Sequence, residues 1–135
     1  MSREFLTPKK IVTGKGAIEN SIEYLVTMGK KPLIVTGRIV SELDAFKQLV
    51  SKLSEGGLEC VIFKDITGEP TDVMIDKGVK VYRENNCDFL IGMGGGSPLD
   101  AIKAIAVSDV CGGKLSDYMG EEISGKFPPM AAIPT

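Results

Sequence analysis

Four short apolar runs constrain this chain more than any other feature. They are Leu33–Thr36, Cys60–Phe63, Phe89–Ile91 and Met130–Ile133, with stretches of helical period between them. Such runs describe strands buried on both faces. Ala17 to Met28 carries Ile18, Ile22, Leu25 and Val26 at helical spacing and stops at Gly29. Glu42 to Ser54 places Leu43, Phe46, Leu49, Val50 and Leu53 on one face and ends at Gly56-Gly57. Asp72 to Glu84 follows a loop, Gly68-Glu69-Pro70-Thr71, in which Thr71 is suited to cap the helix. That helix is expected to bury Val73, Ile75, Val79 and Tyr82 or their neighbours. A further helix is predicted from Pro98 to about Val107, and Lys9 to Thr13 reads as an entry strand closed by Gly14-Lys15-Gly16. Strand–helix–strand units of this length need crossover connections, so the expected fold is α/β, a parallel sheet with helices on both faces.

Composition narrows the function. At 135 residues the chain is one domain by size. A net charge of −2 provides no electrostatic footprint for nucleic acid. The stretch Met1 to Lys10 is polar and charged, unlike a signal peptide, and no apolar run approaches membrane-spanning length. Cys60, Cys87 and Cys111 fit no zinc spacing, and an odd count without a secretion signal points to a reducing cytoplasm. The chain has no histidine, which excludes His-based acid–base chemistry and His-ligated metal from these residues. Ala131-Ala132-Ile133-Pro134-Thr135 reads as a fresh buried strand, so we expect the sequence to be part of a larger protein.

The run Gly94-Gly95-Gly96-Ser97-Pro98-Leu99-Asp100-Ala101-Ile102-Lys103 lies between an apolar strand and a helix. Glycines let backbone N–H groups approach a phosphate, and a helix N-terminus favours its charge. A G-x-G-x-x-G fingerprint fails in both registers: starting at Gly92 it ends on Ser97, and starting at Gly94 it ends on Leu99. The Lys-Ser/Thr ending of a P-loop is absent too. What remains is a diphosphate cradle of Gly94, Gly95 and Gly96, a hydroxyl donor in Ser97, and Asp100 and Lys103 three apart on one helical face. The plain alternative is a tight packing turn. Gly-Gly-Gly-Ser with Asp100 and Lys103 behind it favours phosphate binding.

The run from Gly94 to Ala106 closely resembles the signature of the iron-containing (group III) alcohol dehydrogenases. Lys9 to Ala17 resembles that family's entry strand and glycine turn, Glu69-Pro70-Thr71 the loop before its third crossover helix, and Asp117-Tyr118-Met119-Gly120 its Asp-Tyr-x-Gly segment. Ile133-Pro134-Thr135 looks like the start of its Ile-Pro-Thr-Thr loop. The resemblance implies a Rossmann-like nucleotide domain of the dehydroquinate synthase-like type, spanning 1–135. In the family a helical domain follows and binds one divalent metal, typically iron, through an aspartate and three histidines; it is absent from this sequence. By the same resemblance, Gly94, Gly95, Gly96 and Ser97 hold the cofactor diphosphate, and Asp100 lies near the nicotinamide side of the cleft. Lys103 braces the motif, Thr135 begins the loop that closes over the cofactor, and Pro70 and Thr71 border the adenine or ribose pocket.

The family often has an aspartate after the threonine that ends the second strand. Its carboxylate can hold the adenosine ribose hydroxyls and repel a 2′-phosphate, which favours NAD. Here that place is Gly37, followed by Arg38, a residue able to pair with a phosphate. NADP acceptance or preference is therefore expected, against the alternative that Gly37 only makes the turn and Arg38 is a solvated loop charge. Asp65, Asp72 and Asp76 are carboxylates with no metal partner in view, Tyr118 reads as a packing anchor, and Glu121-Glu122 as a solvated pair.

The expectation is the NAD(P)-binding part of a metal-dependent alcohol dehydrogenase, without turnover on its own. The intact enzyme, expected to be a cytoplasmic homo-oligomer, moves a hydride between the cofactor and an alcohol or aldehyde. The rival readings are a stand-alone nucleotide-binding or sensing module and a glycerol dehydrogenase-like branch of the same superfamily.

Overall fold

Crossover helices leave a parallel sheet two faces to cover, and side-chain alternation along each strand assigns residues to them. A computed structural model of the chain describes residues 16–111 and 127–135. The strands are β1 (Pro32–Val35), β2 (Val61–Phe63), β3 (Phe89–Gly94) and β4 (Met130–Pro134). The helices are α1 (Ala17–Leu25), α2 (Arg38–Ser41), α3 (Asp44–Glu55), α4 (Asp72–Glu84) and α5 (Gly96–Cys111). The four strands lie in the order β2-β1-β3-β4, and every pairing is parallel.

Leu33, Val35, Leu90 and Phe63 point to one face, where Ile75, Val79 and Tyr82 of α4 and Ala101, Ile102 and Ile105 of α5 meet them. Ile34, Phe89, Ile91 and Met93 point to the other, against Leu25 of α1 and Phe46, Leu49 and Leu53 of α3. The chain moves from β1 outward to β2 through α3, then back past β1 to β3 through α4, and onward to β4 through α5. Crossovers of one handedness place outward and returning helices on opposite faces, which is what the two clusters show. The fold is a Rossmann-like α/β sheet with helices on both sides; β1 and β3 are fully buried, whereas β4, expected as a buried strand, lies at the sheet edge with alternating exposed and half-buried residues.

The local signals act where expected. Thr71 caps α4, its Oγ1 accepting the Met74 N–H at 3.2 Å. Ile75, Val79 and Tyr82 are buried, but Val73 is 63% exposed, because the face of α4 that packs on the sheet begins at Ile75. Leu43 is likewise exposed, since it precedes the first turn of α3 rather than belonging to it. The helix expected over Glu42–Ser54 is α3, which starts two residues later at Asp44, and a single unexpected turn, α2, precedes it directly after Gly37. The entry strand Lys9–Thr13, Gly14 and Lys15 of its glycine turn, and the Asp117–Gly120 segment lie outside the described residues; Gly16, at φ +78°, directly precedes α1.

At the amino edge of the sheet a carboxylate clips two strands together. Asp88, just before β3, accepts the backbone N–H groups of Lys30 at 2.7 Å and Lys31 at 2.9 Å, just before β1. On the far side of the α4–α5 contact, Arg83 Nε donates to Asp109 Oδ1 and Arg83 Nη2 to the Asp109 carbonyl, each at 2.8 Å.

Candidate functional site

In an open α/β sheet, ligands settle at the carboxyl ends of the strands where successive connections leave in opposite directions. Here that point lies between β1, which continues to β2 on one side, and β3, which continues to β4 on the other. The residues singled out from the sequence gather at this edge. Gly37 and Arg38 follow β1, Pro70 and Thr71 lie in the loop between β2 and α4, Gly94 ends β3, Gly95 and Gly96 make the turn, and Thr135 follows β4.

Backbone geometry at the turn separates the three glycines. Gly94 has φ +143°, a conformation that side chains with a Cβ rarely adopt, and a Cβ there would lie 3.0 Å from Pro98 Cγ. At Gly95 and Gly96 a Cβ would meet nothing within 4 Å. Gly94 is thus required by the fold, whereas Gly95 and Gly96 face open space. β3 runs on through Gly94, and α5 begins at Gly96 rather than at Pro98. This places the free N–H groups of the first turn directly above the end of β3. Ser97 sits in that turn, half-buried. Asp100 and Lys103 are exposed on α5 and do not pair with each other.

Two residues that sequence reasoning left unassigned hold the site in shape. Thr36 is fully buried, and its Oγ1 donates to the Met93 carbonyl at 2.8 Å, joining β1 to β3 below the crevice. Gly92, in the middle of β3, lies under α5: a Cβ there would be 3.1 Å from both the Pro98 carbonyl oxygen and Ile102 Cγ2. Its signal in the sequence was a glycine inside an otherwise apolar strand, the mark of close backbone approach. The backbone N–H of Thr135 donates to the Gly94 carbonyl at 2.9 Å, so the residue after β4 is tied to the start of the glycine turn.

The outer part of the edge is charged. Arg38 Nη2 donates to Asp65 Oδ1 at 3.2 Å, with both side chains largely in solvent. Arg38 therefore already has a carboxylate partner, which sequence inspection did not give it. The α4 cap uses Thr71 Oγ1 as an acceptor, which still lets its O–H donate to a ligand. Among the described residues, no three His, Cys, Asp or Glu side chains come together as a donor set for a metal ion. Nor is any described helix long and apolar enough to cross a membrane.

Comparison with known proteins agrees with this geometry. The family model for iron-containing alcohol dehydrogenase matches residues 8–135. The NAD-dependent methanol dehydrogenase of Bacillus methanolicus is 34% identical over 133 residues, covering 97% of this chain and 35% of its own length. The crystal structure of a 1,3-propanediol oxidoreductase superposes with a TM-score of 0.90 at 32% identity, over 100% of this chain and 36% of the other. Sulfoacetaldehyde reductase from Bifidobacterium kashiwanohense, solved in complex with NAD+, superposes with a TM-score of 0.83 at 26% identity, over 99% and 36% respectively. The chain thus spans about a third of the length of the relatives it matches. With the sheet order, the glycine turn and the matched residues in agreement, the chain belongs to the iron-containing alcohol dehydrogenase family.

Proposed function

We propose that residues 1–135 are the nicotinamide-dinucleotide-binding domain of an alcohol dehydrogenase, with Gly94, Gly95, Gly96 and Ser97 holding the diphosphate. The observation that carries this reading is the open backbone at Gly95 and Gly96, at the N-terminus of a 16-residue helix and on the strand-switch point of a parallel sheet. A diphosphate fits that donor set: N–H groups of the turn and first helical turn, the positive end of the helix dipole, and one hydroxyl. When bound, the nicotinamide ring supplies the carbon that gives or takes a hydride.

The remaining work of the chain is placement. Gly92 lets α5 lie close on β3, which sets the height of the phosphate donors above the sheet. The Thr36–Met93 bond keeps the β1 and β3 ends in register beneath the dinucleotide. Pro70 and Thr71 border the adenosine half, Asp100 stands toward the nicotinamide half, and Lys103 braces the helix. Thr135 starts the segment that covers the diphosphate. Gly37 removes the carboxylate that would repel a 2′-phosphate and Arg38 adds a cation beside it, so NADP is accepted alongside NAD. In the intact protein the substrate is an alcohol or aldehyde, and a following helical domain carries the divalent metal, iron in this proposal. The intact enzyme is a cytoplasmic homo-oligomer, and the 135-residue chain alone has no dehydrogenase turnover.

Calorimetric titration of the chain with NADH and NADPH tests the reading. Saturable binding of either, weakened by Gly96→Leu, supports it. Binding of neither transfers the case to a nucleotide-sensing module with another ligand.

A further inference from the structure

The Arg38–Asp65 pair is not explained by diphosphate binding. Asp65 stands two residues beyond β2 and Arg38 three beyond β1, and the ends of those strands, Phe63 and Val35, are register partners. The Thr36 N–H donates to the Phe63 carbonyl at 3.0 Å, carrying the β1–β2 ladder one residue further. Beyond it, a Cβ on Gly37 would lie 3.1 Å from the Ile66 carbonyl oxygen. The segment bearing Asp65 therefore closes against residue 37, at the place where the ribose of a dinucleotide is expected to lie. Gly37 brings no side-chain charge to that place. Asp65 brings one from the neighbouring strand, and its oxygen lies 3.2 Å from the Arg38 guanidinium. With side chains 72% and 49% exposed, the pair is weak and exchanges partners readily.

We propose that Asp65 is the residue that sets discrimination at the ribose 2′ position, opposing the NADP acceptance that Gly37 and Arg38 open. The inference rests on the cofactor reading above. A 2′-phosphate must draw the guanidinium away from Asp65 and then sit beside a carboxylate of like charge. A 2′-hydroxyl carries no charge and can donate a hydrogen bond to the same carboxylate. Asp65 thus acts in two ways against the phosphate and in none against the hydroxyl. Nothing buried depends on it, so its amide analogue leaves the fold intact.

The test is titration of NADH and NADPH into the 135-residue chain and its Asp65→Asn, Arg38→Ala and doubly substituted forms. Asp65→Asn is expected to raise the NADPH-to-NADH affinity ratio by about fivefold, the scale of one exposed ion pair, and Arg38→Ala to lower it. A rise that disappears in the Arg38→Ala background supports action through the guanidinium; one that persists supports direct repulsion. Both uphold Asp65 as the determinant. An unchanged ratio in Asp65→Asn, with the parent chain still binding, overturns the inference and spares the cofactor reading. A parent chain that binds neither dinucleotide overturns both.

Discussion

Thr36 Oγ1 and the Met93 carbonyl oxygen, 57 residues apart in sequence, form a 2.8 Å hydrogen bond in the fully buried floor of the crevice between β1 and β3. It is a side-chain bond laid across two strands that already share a backbone ladder, and it sits where the ladder ends. Thr36→Val keeps the shape and deletes the donor. We expect a loss of about 1 kcal/mol in folding free energy, the usual net value of one such bond, read from urea denaturation midpoints. Dinucleotide affinity should weaken as well, because the two strand ends carry opposite halves of the site.

The glycines of β3 and its turn should separate stability from binding. Gly96→Leu meets open space, so the melting temperature should hold or rise slightly while dinucleotide binding is weakened. Gly92→Ala forces a Cβ against the Pro98 carbonyl and Ile102, and should destabilise by about 1–3 kcal/mol, the range for overpacking. Calorimetric melts and titrations on the same two variants check both halves. Equal loss of stability in the two would contradict the assignment of Gly96 to the ligand.

Much of this was legible in the sequence, because each local signal agreed with its neighbours. Thr71, Asp72 and the apolar spacing after them located α4 to the residue, and the run Leu33–Thr36 located β1 to within one position at each end. The start of α5 was read too late, at Pro98, because proline favours a first turn without saying whether the preceding glycines have already joined it. The single turn α2 went unread, since four residues are too few for a period to show. The Arg38–Asp65 pair was out of reach for another reason: the partners are 27 residues apart, and only the parallel pairing of β1 with β2 brings them together.

Asp88 offers a control at the opposite edge. Its carboxylate accepts two backbone N–H groups, and Gly29 is packed so closely that a Cβ there would fall 2.5 Å from Asp88 Oδ1 and 2.6 Å from the Phe89 ring. Asp88→Ala should cost about 1 kcal/mol or more through the two lost charge-assisted bonds. Because the clip lies at the amino ends of the strands, NADH affinity should not move once the variant is compared below its melting range.

Stability should fall in alkali, through two half-buried thiols and one buried phenol. Burial pushes the Cys87 thiol up from 9.0 to about 11, Lys31 working against the shift and Asp88 with it. Burial, then Asp109, Cys87 and Asp88, push the Tyr82 hydroxyl up from 10.0 to about 12. Burial also raises the Cys60 thiol, against a bond from Ser54. All three keep their protons in the fold at pH values where the unfolded chain has lost them. Their contribution is complete below pH 9 and declines as pH rises through 9 to 12. Urea midpoints at pH 8, 9.5 and 10.5 should decrease in order, and Cys87→Ala should flatten the decline. A flat parent profile would contradict the burial of these groups.

The clip at Asp88 and the charged pair at Arg38 and Asp65 sit at opposite ends of the sheet, with β1 between them. If the proposed role of Asp65 holds, a lineage carrying this sheet can retune which dinucleotide it favours by altering a few solvent-facing positions, while the clip at Asp88 and the buried Thr36–Met93 bond stay untouched. Cofactor preference and durability become separately heritable traits of one small domain.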